Sequence, residues 1–214
     1  MSEETKYLKL ARAAREEENS EDAKKFYDMV RTDDPENGEA KFFYQYYSMY
    51  EGKNGELANR FVNLVKVLDP SVKFISQSNE SESEKLAVIK AIVDVFTPLT
   101  WSNIRYMNNL TVKVGNTTEK VLPGSDFTLV QKSGVTGLYD LGDAIVKYFS
   151  RSPEAMKLAL TPWKEGVFLQ QKWCYILKNF NKSPEEYTAK IQKIEPSYTM
   201  PQKANWCANK PYDR

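Results

Sequence analysis

Histidine is absent from this chain of 214 residues. That removes the commonest general base and the commonest metal ligand. Cysteine is scarce: Cys174 and Cys207 are the only two, and neither has a neighbouring thiol. Neither a zinc knuckle nor a CxxC redox pair can be written from them, and Cys174, inside the apolar run KWCYIL, reads as a small core residue. Long apolar runs are missing as well. The best candidate, LAVIKAIVDVF, is broken by Lys90 and Asp94 and falls well short of the roughly 20 residues that span a bilayer. The opening MSEETKYLKLARAAREEE places acids where a secretory signal carries a basic and then an apolar region. A cytoplasmic chain without membrane contact is expected. Net charge is nearly zero, at +1, whereas a non-specific nucleic-acid binder usually shows a basic excess, so nucleic acid is not the favoured partner. No GxSxG, GxxxxGK[ST] or GxGxxG pattern occurs. The adjacent pairs Asp33/Asp34 and Glu185/Glu186 point to different helix faces and suit turns or first turns better than acid-base work. The expectation is therefore a protein that is not an enzyme, with no catalytic residues, no cofactor and no metal site.

What the chain does have is a globular composition, 41% hydrophobic and 28% charged. At this length a single fold buries about 70% of its unfolded surface. Charge is unevenly spread: residues 1–40 carry seven Lys/Arg against twelve Asp/Glu, and residues 151–214 carry eleven against six. Solvated helix faces account for this, with contact between opposite ends, within or between molecules, as the alternative.

A period of 35 links Ala23 to Ala58 and Pro35 to Pro70. Each proline follows an amphipathic stretch, SEDAKKFYDMVRT or GELANRFVNLVKVL, and should stop a helix there. Another helical stretch precedes each, so the unit is helix, short turn, helix, proline. These residues resemble the tetratricopeptide repeat. In the first copy, about residues 4–37, Tyr7, Leu10 and Ala11 stand at the aromatic, leucine and small positions of the first helix, and Ala23, Tyr27 and Pro35 at those of the second. The second copy, about 39–72, keeps Phe42, Ala58 and Pro70 but has Gln45 and Tyr46 where leucine and a small residue are usual. A third echo, PEEYTAKIQKIEPSY, puts Tyr187, Ile191 and Ile194 before Pro196, with Trp163 to Phe180 as its partner helix. The whole chain resembles a group of bacterial proteins of uncharacterised function that contain such repeats.

The resemblance implies an all-α fold: antiparallel helix pairs continued by long helices in a right-handed superhelical array. The divisions are 1–72 for two repeats, 73–200 for a helical continuation with a closing pair, and 201–214 for a tail. In the middle, apolar spacing predicts helices over about 82–96, from Pro98 onward, and over 126–149. Pro162 should kink or divide the helix that follows. Residues 110–122 favour a helix ending at Gly115 and then a loop, with a small β-hairpin around Gly-Asn as the alternative.

The stretch KFFYQYYSMY, residues 41–50, holds six aromatics in ten positions. On a helix, Phe42, Phe43, Tyr46, Tyr47, Met49 and Tyr50 share an arc of about 160°. Phe42, Tyr46 and Met49 are assigned to packing between helices. Phe43, Tyr47 and Tyr50 are assigned to a concave surface, joined by Leu8, Arg12 and Arg15 from the first helix. Two arginines beside three rings could hold an acidic group. A protein- or peptide-binding scaffold is the expected function. The alternatives are a structural or self-associating domain whose groove is filled and, behind it, a nucleic-acid-binding module. If the assignment is right, removing Phe43 and Tyr47 should cost little stability.

Overall fold

The computed structural model describes residues 3–51, 56–108, 111–114, 117–120, 125–172 and 180–203. Within them the fold is helical, with one small hairpin. The helices are α1 (Glu3–Glu16), α2 (Ser20–Asp33), α3 (Gly38–Tyr47), α4 (Leu57–Lys66), α5 (Leu68–Gln77), α6 (Glu82–Asn108), α7 (Ser125–Tyr148), α8 (Pro153–Lys172) and α9 (Pro184–Gln192). A 3-10 turn, Ser48–Tyr50, extends α3.

Local chemistry sets most of these boundaries. Asn19 caps α2 by accepting from the Asp22 amide at 3.2 Å, and Asn37 caps α3 by accepting from Ala40 at 3.0 Å. Ser81 and Glu84 form a reciprocal capping box at the start of α6, the Ser81 amide donating to Glu84 Oε2 at 2.8 Å. Ser183 caps α9, with Pro184 at the position where a missing N–H costs nothing.

The prolines behave in three ways. Pro35 follows the end of α2, as expected. Pro70 sits in the first turn of α5: α4 stops at Lys66, four residues before it, and the chain resumes as a helix through it. Pro98 and Pro162 lie inside α6 and α8. The predicted break at Pro98 is thus corrected to one helix of 27 residues, and Pro162 does not divide α8. The helix-plus-loop reading of 110–122 is also corrected. Strands β1 (Thr111–Val114) and β2 (Thr117–Lys120) pair antiparallel, with Val114 opposite Thr117, and residues 115–116 lie outside the described residues.

α1 packs on α2, α2 on α3, and α3 on α5. Ala11 and Ala14 of α1 and Ala23, Tyr27 and Val30 of α2 are buried, and Tyr27 stacks on Phe43 of α3. α3 reaches α5 closely because Gly38 has no side chain: a Cβ there would lie 2.3 Å from the Ser71 carbonyl oxygen. α4 lies mainly on α7, so the second helix pair is less closely joined than the first. The boundary proposed at residue 72 falls inside α5. α7 touches α4, α5, α6 and α8, and α8 carries α9. Tyr187 and Ile191 of α9 are buried, as their spacing suggested. Residues 173–179 and 204–214 lie outside the described residues, and with them Cys174, Cys207, most of the stretch Trp173 to Phe180 and nearly all of the tail. No helix among the described residues is long and apolar enough to cross a membrane.

Candidate functional site

The six residues expected on one open surface are divided by the structure into a buried network, a groove and a shelf. Glu39, in the first turn of α3, is 3% exposed and forms the centre of the network. Its Oε2 accepts from Arg12 Nε at 2.8 Å and Nη2 at 2.5 Å, and its Oε1 accepts from Tyr27 Oη at 2.8 Å and Arg15 Nη1 at 3.0 Å. Arg12 Nη2 also donates to Glu80 Oε1 at 2.6 Å, at the turn between α5 and α6. Burial alone would lower the Arg12 pKa, but the hydrogen bonds and charges of Glu39 and Glu80 outweigh it and hold the pKa above its ordinary value. Such a charge can be buried only because it is paired and hydrogen-bonded. Both arginines that the sequence offered to an acidic ligand are therefore already holding acids of their own chain.

Phe43 is not on an open surface. It is fully buried, stacked on Tyr27 with ring centroids 5.2 Å apart and covered by the Arg15 guanidinium 4.5 Å above its ring. Tyr47 is buried as well, and Tyr50, at 65% exposed, is the one ring of the three that faces solvent freely. The correction has a physical reason: helical phase places Phe43 on the inner side of α3, and Tyr27 and Arg15 come from the preceding helix pair to cover it. Tyr46, assigned to packing, does stack on Phe42 with ring centroids 6.3 Å apart but is only half-buried. Its hydroxyl accepts from Tyr50 Oη at 3.3 Å, and the two rings meet edge to face at 5.7 Å. Together with Tyr44, Lys24 and Glu51 they border a shallow shelf of about 480 Å³ between α2 and α3. Lys24 and Glu51 are themselves paired at 2.7 Å, and Tyr44 carries Arg31 3.9 Å above its ring.

Leu8 and Arg12 do line an open feature. A groove of about 720 Å³ runs between α1, the α2–α3 turn and the end of α5. Leu8, Phe74 and Ile75 supply its apolar part, and Asp34, Glu36, Glu80 and Glu84 stand around it. Glu39 was the residue that sequence reasoning missed. Its signal was present: Glu39 lies three and four residues before Phe42 and Phe43 and so shares their arc, where an acid needs a cationic partner.

A second polar junction joins α7, α8 and α9. Asp143 accepts from Trp163 Nε1 at 3.2 Å, Tyr187 Oη at 2.6 Å and Lys190 Nζ at 3.1 Å. Lys182 Nζ donates to Asp140 at 2.6 Å and to Tyr187 Oη at 2.9 Å. Tyr187 stacks on Tyr139 at 3.7 Å. α7 and α8 approach closely beside it, since a Cβ on Gly142 would lie 2.3 Å from Trp163 Nε1 and one on Gly166 2.7 Å from the Tyr139 ring. Every group is used within the protein, which makes this a clamp between helices. Further along α6 and α8, Trp101 Nε1 donates to Glu165 at 2.7 Å and its ring faces Phe168 and Arg105. Among the described residues no group of three or more His, Cys, Asp and Glu is placed to hold a metal ion.

The two buried phenols carry a pH prediction. Burial, and then the charges and hydrogen bonds of Glu39 and Asp143 respectively, raise the Tyr27 and Tyr187 pKa values well above the ordinary 10.0. Above pH 10 the unfolded chain releases these protons and the native protein keeps them, so the native state binds more protons and stability falls as pH rises. Urea melts at pH 9, 10 and 11 should show little change over the first step and a steep loss over the second. Tyr27→Phe or Tyr187→Phe should each reduce that slope by up to about 1.4 kcal/mol per pH unit.

Comparison with protein-family models, curated proteins and solved structures yields no significant match to this chain.

Proposed function

We propose that this protein is a non-catalytic helical scaffold that binds another protein or a peptide. The open groove between α1 and α5 supports this reading, because it combines apolar side chains with a polar border and leaves about 720 Å³ unfilled beside a well-packed body. The reading takes α1–α2 and α3–α4 as tetratricopeptide-like pairs, a view supported by buried Ala23, Tyr27 and Ala58 and by Pro35 and Pro70 at one period. The binding surface it implies is smaller than the sequence suggested, with Leu8 and Phe74 on the groove and Tyr50 on the separate shelf.

The structural alternative has one observation in its favour: Arg12, Arg15, Phe43 and Tyr47 are all engaged inside the molecule. Against the nucleic-acid alternative, three of the eleven cations of the basic C-terminal third, Lys164, Lys182 and Lys190, are paired with Glu195, Asp140 and Asp143.

Panning a phage-displayed random peptide library on the wild type and on Phe74→Glu tests the scaffold reading. Phe74 is half-buried on the groove wall, so the variant should keep its stability within about 1 kcal/mol. Peptides should be enriched on the wild type and lost on the variant. No enrichment on the wild type, or equal enrichment on both proteins, excludes the groove as a binding site.

A further inference from the structure

We infer that the groove between α1 and α5 takes a cationic peptide segment, one that carries lysine or arginine among apolar residues. The inference rests on the peptide-binding reading above and adds the chemistry of the partner. It reverses the acidic ligand that Arg12 and Arg15 first suggested.

The charge balance of the groove carries the argument. Arg12 and Arg15 are matched by Glu39 and Glu80 through bonds of 2.5 to 3.0 Å, which leaves this quartet neutral in charge. An incoming carboxylate would meet the like charges of Glu80 and of Glu39, which is 3% exposed and held by three side chains, beside both arginines. What remains around the groove is Asp34, Glu36 and Glu84 against Lys9, and Lys9 is engaged within the protein. Glu36 and Glu84 are exposed and stand on different elements, the α2–α3 turn and the first turn of α6. Asp34 and Glu84 also serve as local caps, through the Glu36 amide and the Ser81 amide and hydroxyl, so their carboxylates are held in place. Two lysines, Lys41 and Lys73, lie 5.5 Å and 5.9 Å from the centre of the Phe74 ring, so the negative field is strongest away from that end. A ligand with apolar side chains on Leu8 and Phe74 and ammonium or guanidinium groups toward Glu36 and Glu84 satisfies both parts of the surface. Like-charged ligands would be repelled.

Fluorescence anisotropy with three labelled decapeptides tests the inference, with leucine alternating with lysine, with glutamate or with serine. The full chain is titrated at low and at 0.5 M added salt, a probe condition chosen because it shortens the screening length several-fold. The lysine peptide should bind at least about tenfold more tightly than the other two at low salt and lose most of that advantage at high salt. Glu36→Lys combined with Glu84→Lys should weaken it by about tenfold or more, and Phe74→Glu should weaken it as well through the lost apolar contact. Equal binding of the serine peptide, or tighter binding of the glutamate peptide, with Phe74→Glu abolishing either, overturns the cationic chemistry and leaves the groove as a peptide site. Binding of no peptide, or lysine-peptide binding that ignores all three substitutions, overturns both.

Discussion

Phe43→Ala combined with Tyr47→Ala should unfold the protein or leave it barely folded at 25 °C. Phe43 is fully buried, meets Phe42 edge to face at 5.1 Å, stacks on Tyr27 at 5.2 Å and lies under Arg15. Truncating one such ring costs about 3 to 5 kcal/mol through lost transfer energy and the cavity left behind. Tyr47 shares Tyr27 as a neighbour at 6.4 Å, so the second truncation enlarges the same cavity. A combined loss of at least about 5 kcal/mol is comparable with the whole stability of many domains. Urea unfolding followed by circular dichroism measures it, with Tyr50→Ala as the exposed control, expected within about 0.5 kcal/mol of wild type. A double variant as stable as that control would mean that the rings are not core. The expectation read from helical phase alone was the opposite, that these two rings could be removed cheaply.

The second large effect is expected at Glu39. Glu39→Ala leaves Arg12, Arg15 and Tyr27 without their shared acceptor in a site where Glu39 itself is almost wholly buried. Removing one partner of such a network costs about 3 to 5 kcal/mol, because the cost is that of the charges left behind. Glu39→Gln should lose less, since its amide oxygen can still accept from one or two donors. A double-mutant cycle pairing Glu39→Ala with Arg15→Ala should show a coupling of at least about 1 kcal/mol. Additive losses would mean that the two side chains stabilise the fold independently. Nuclear magnetic resonance should report the same change as faster exchange of the Arg12 Nε proton in Glu39→Ala than in the wild type, since that proton loses its acceptor.

Much of the helix layout was legible because it depends on local chemistry. Asn19, Asn37, Ser81 and Ser183 are caps whose hydrogen bonds reach only two or three residues, and a local rule can find them. Pro98 was misread for an equally local reason. A proline preceded and followed by helical spacing reads the same whether it opens a helix or sits inside one, and only packing of α6 along α7 and α8 decides. A hairpin over 110–122 was one of two readings, and the pairing of Val112 with Glu119 chose between them.

The site was legible in part, and the division is instructive. Helical phase identified the inner arc of α3 correctly for Phe42 and Met49, both buried. It could not say what covers each point of that arc. Phe43 is covered by residues 16 and more positions away in sequence, Tyr27 and Arg15, and no period in α3 encodes them. The same limit hid the fate of the arginines. Arg12 and Arg15 were recognised as a pair on one face, but their partner Glu39 belongs to another helix and Glu80 to a turn beyond that. Contacts made across the sequence turned a proposed ligand clamp into an internal tie.

The position of α7 has a further consequence for how the protein melts. This helix is shared by neighbours from both sides of the chain, and at Gly137 and Gly142 it admits the Phe96 and Trp163 rings so closely that a Cβ would lie 2.7 Å and 2.3 Å from them. Neither side can detach without stripping apolar cover from the same rod. Cooperativity is therefore built into the middle of the chain: calorimetry should give one transition whose van't Hoff and calorimetric enthalpies agree, and a fragment ended at residue 72 would lack the helix that completes α4 and α5.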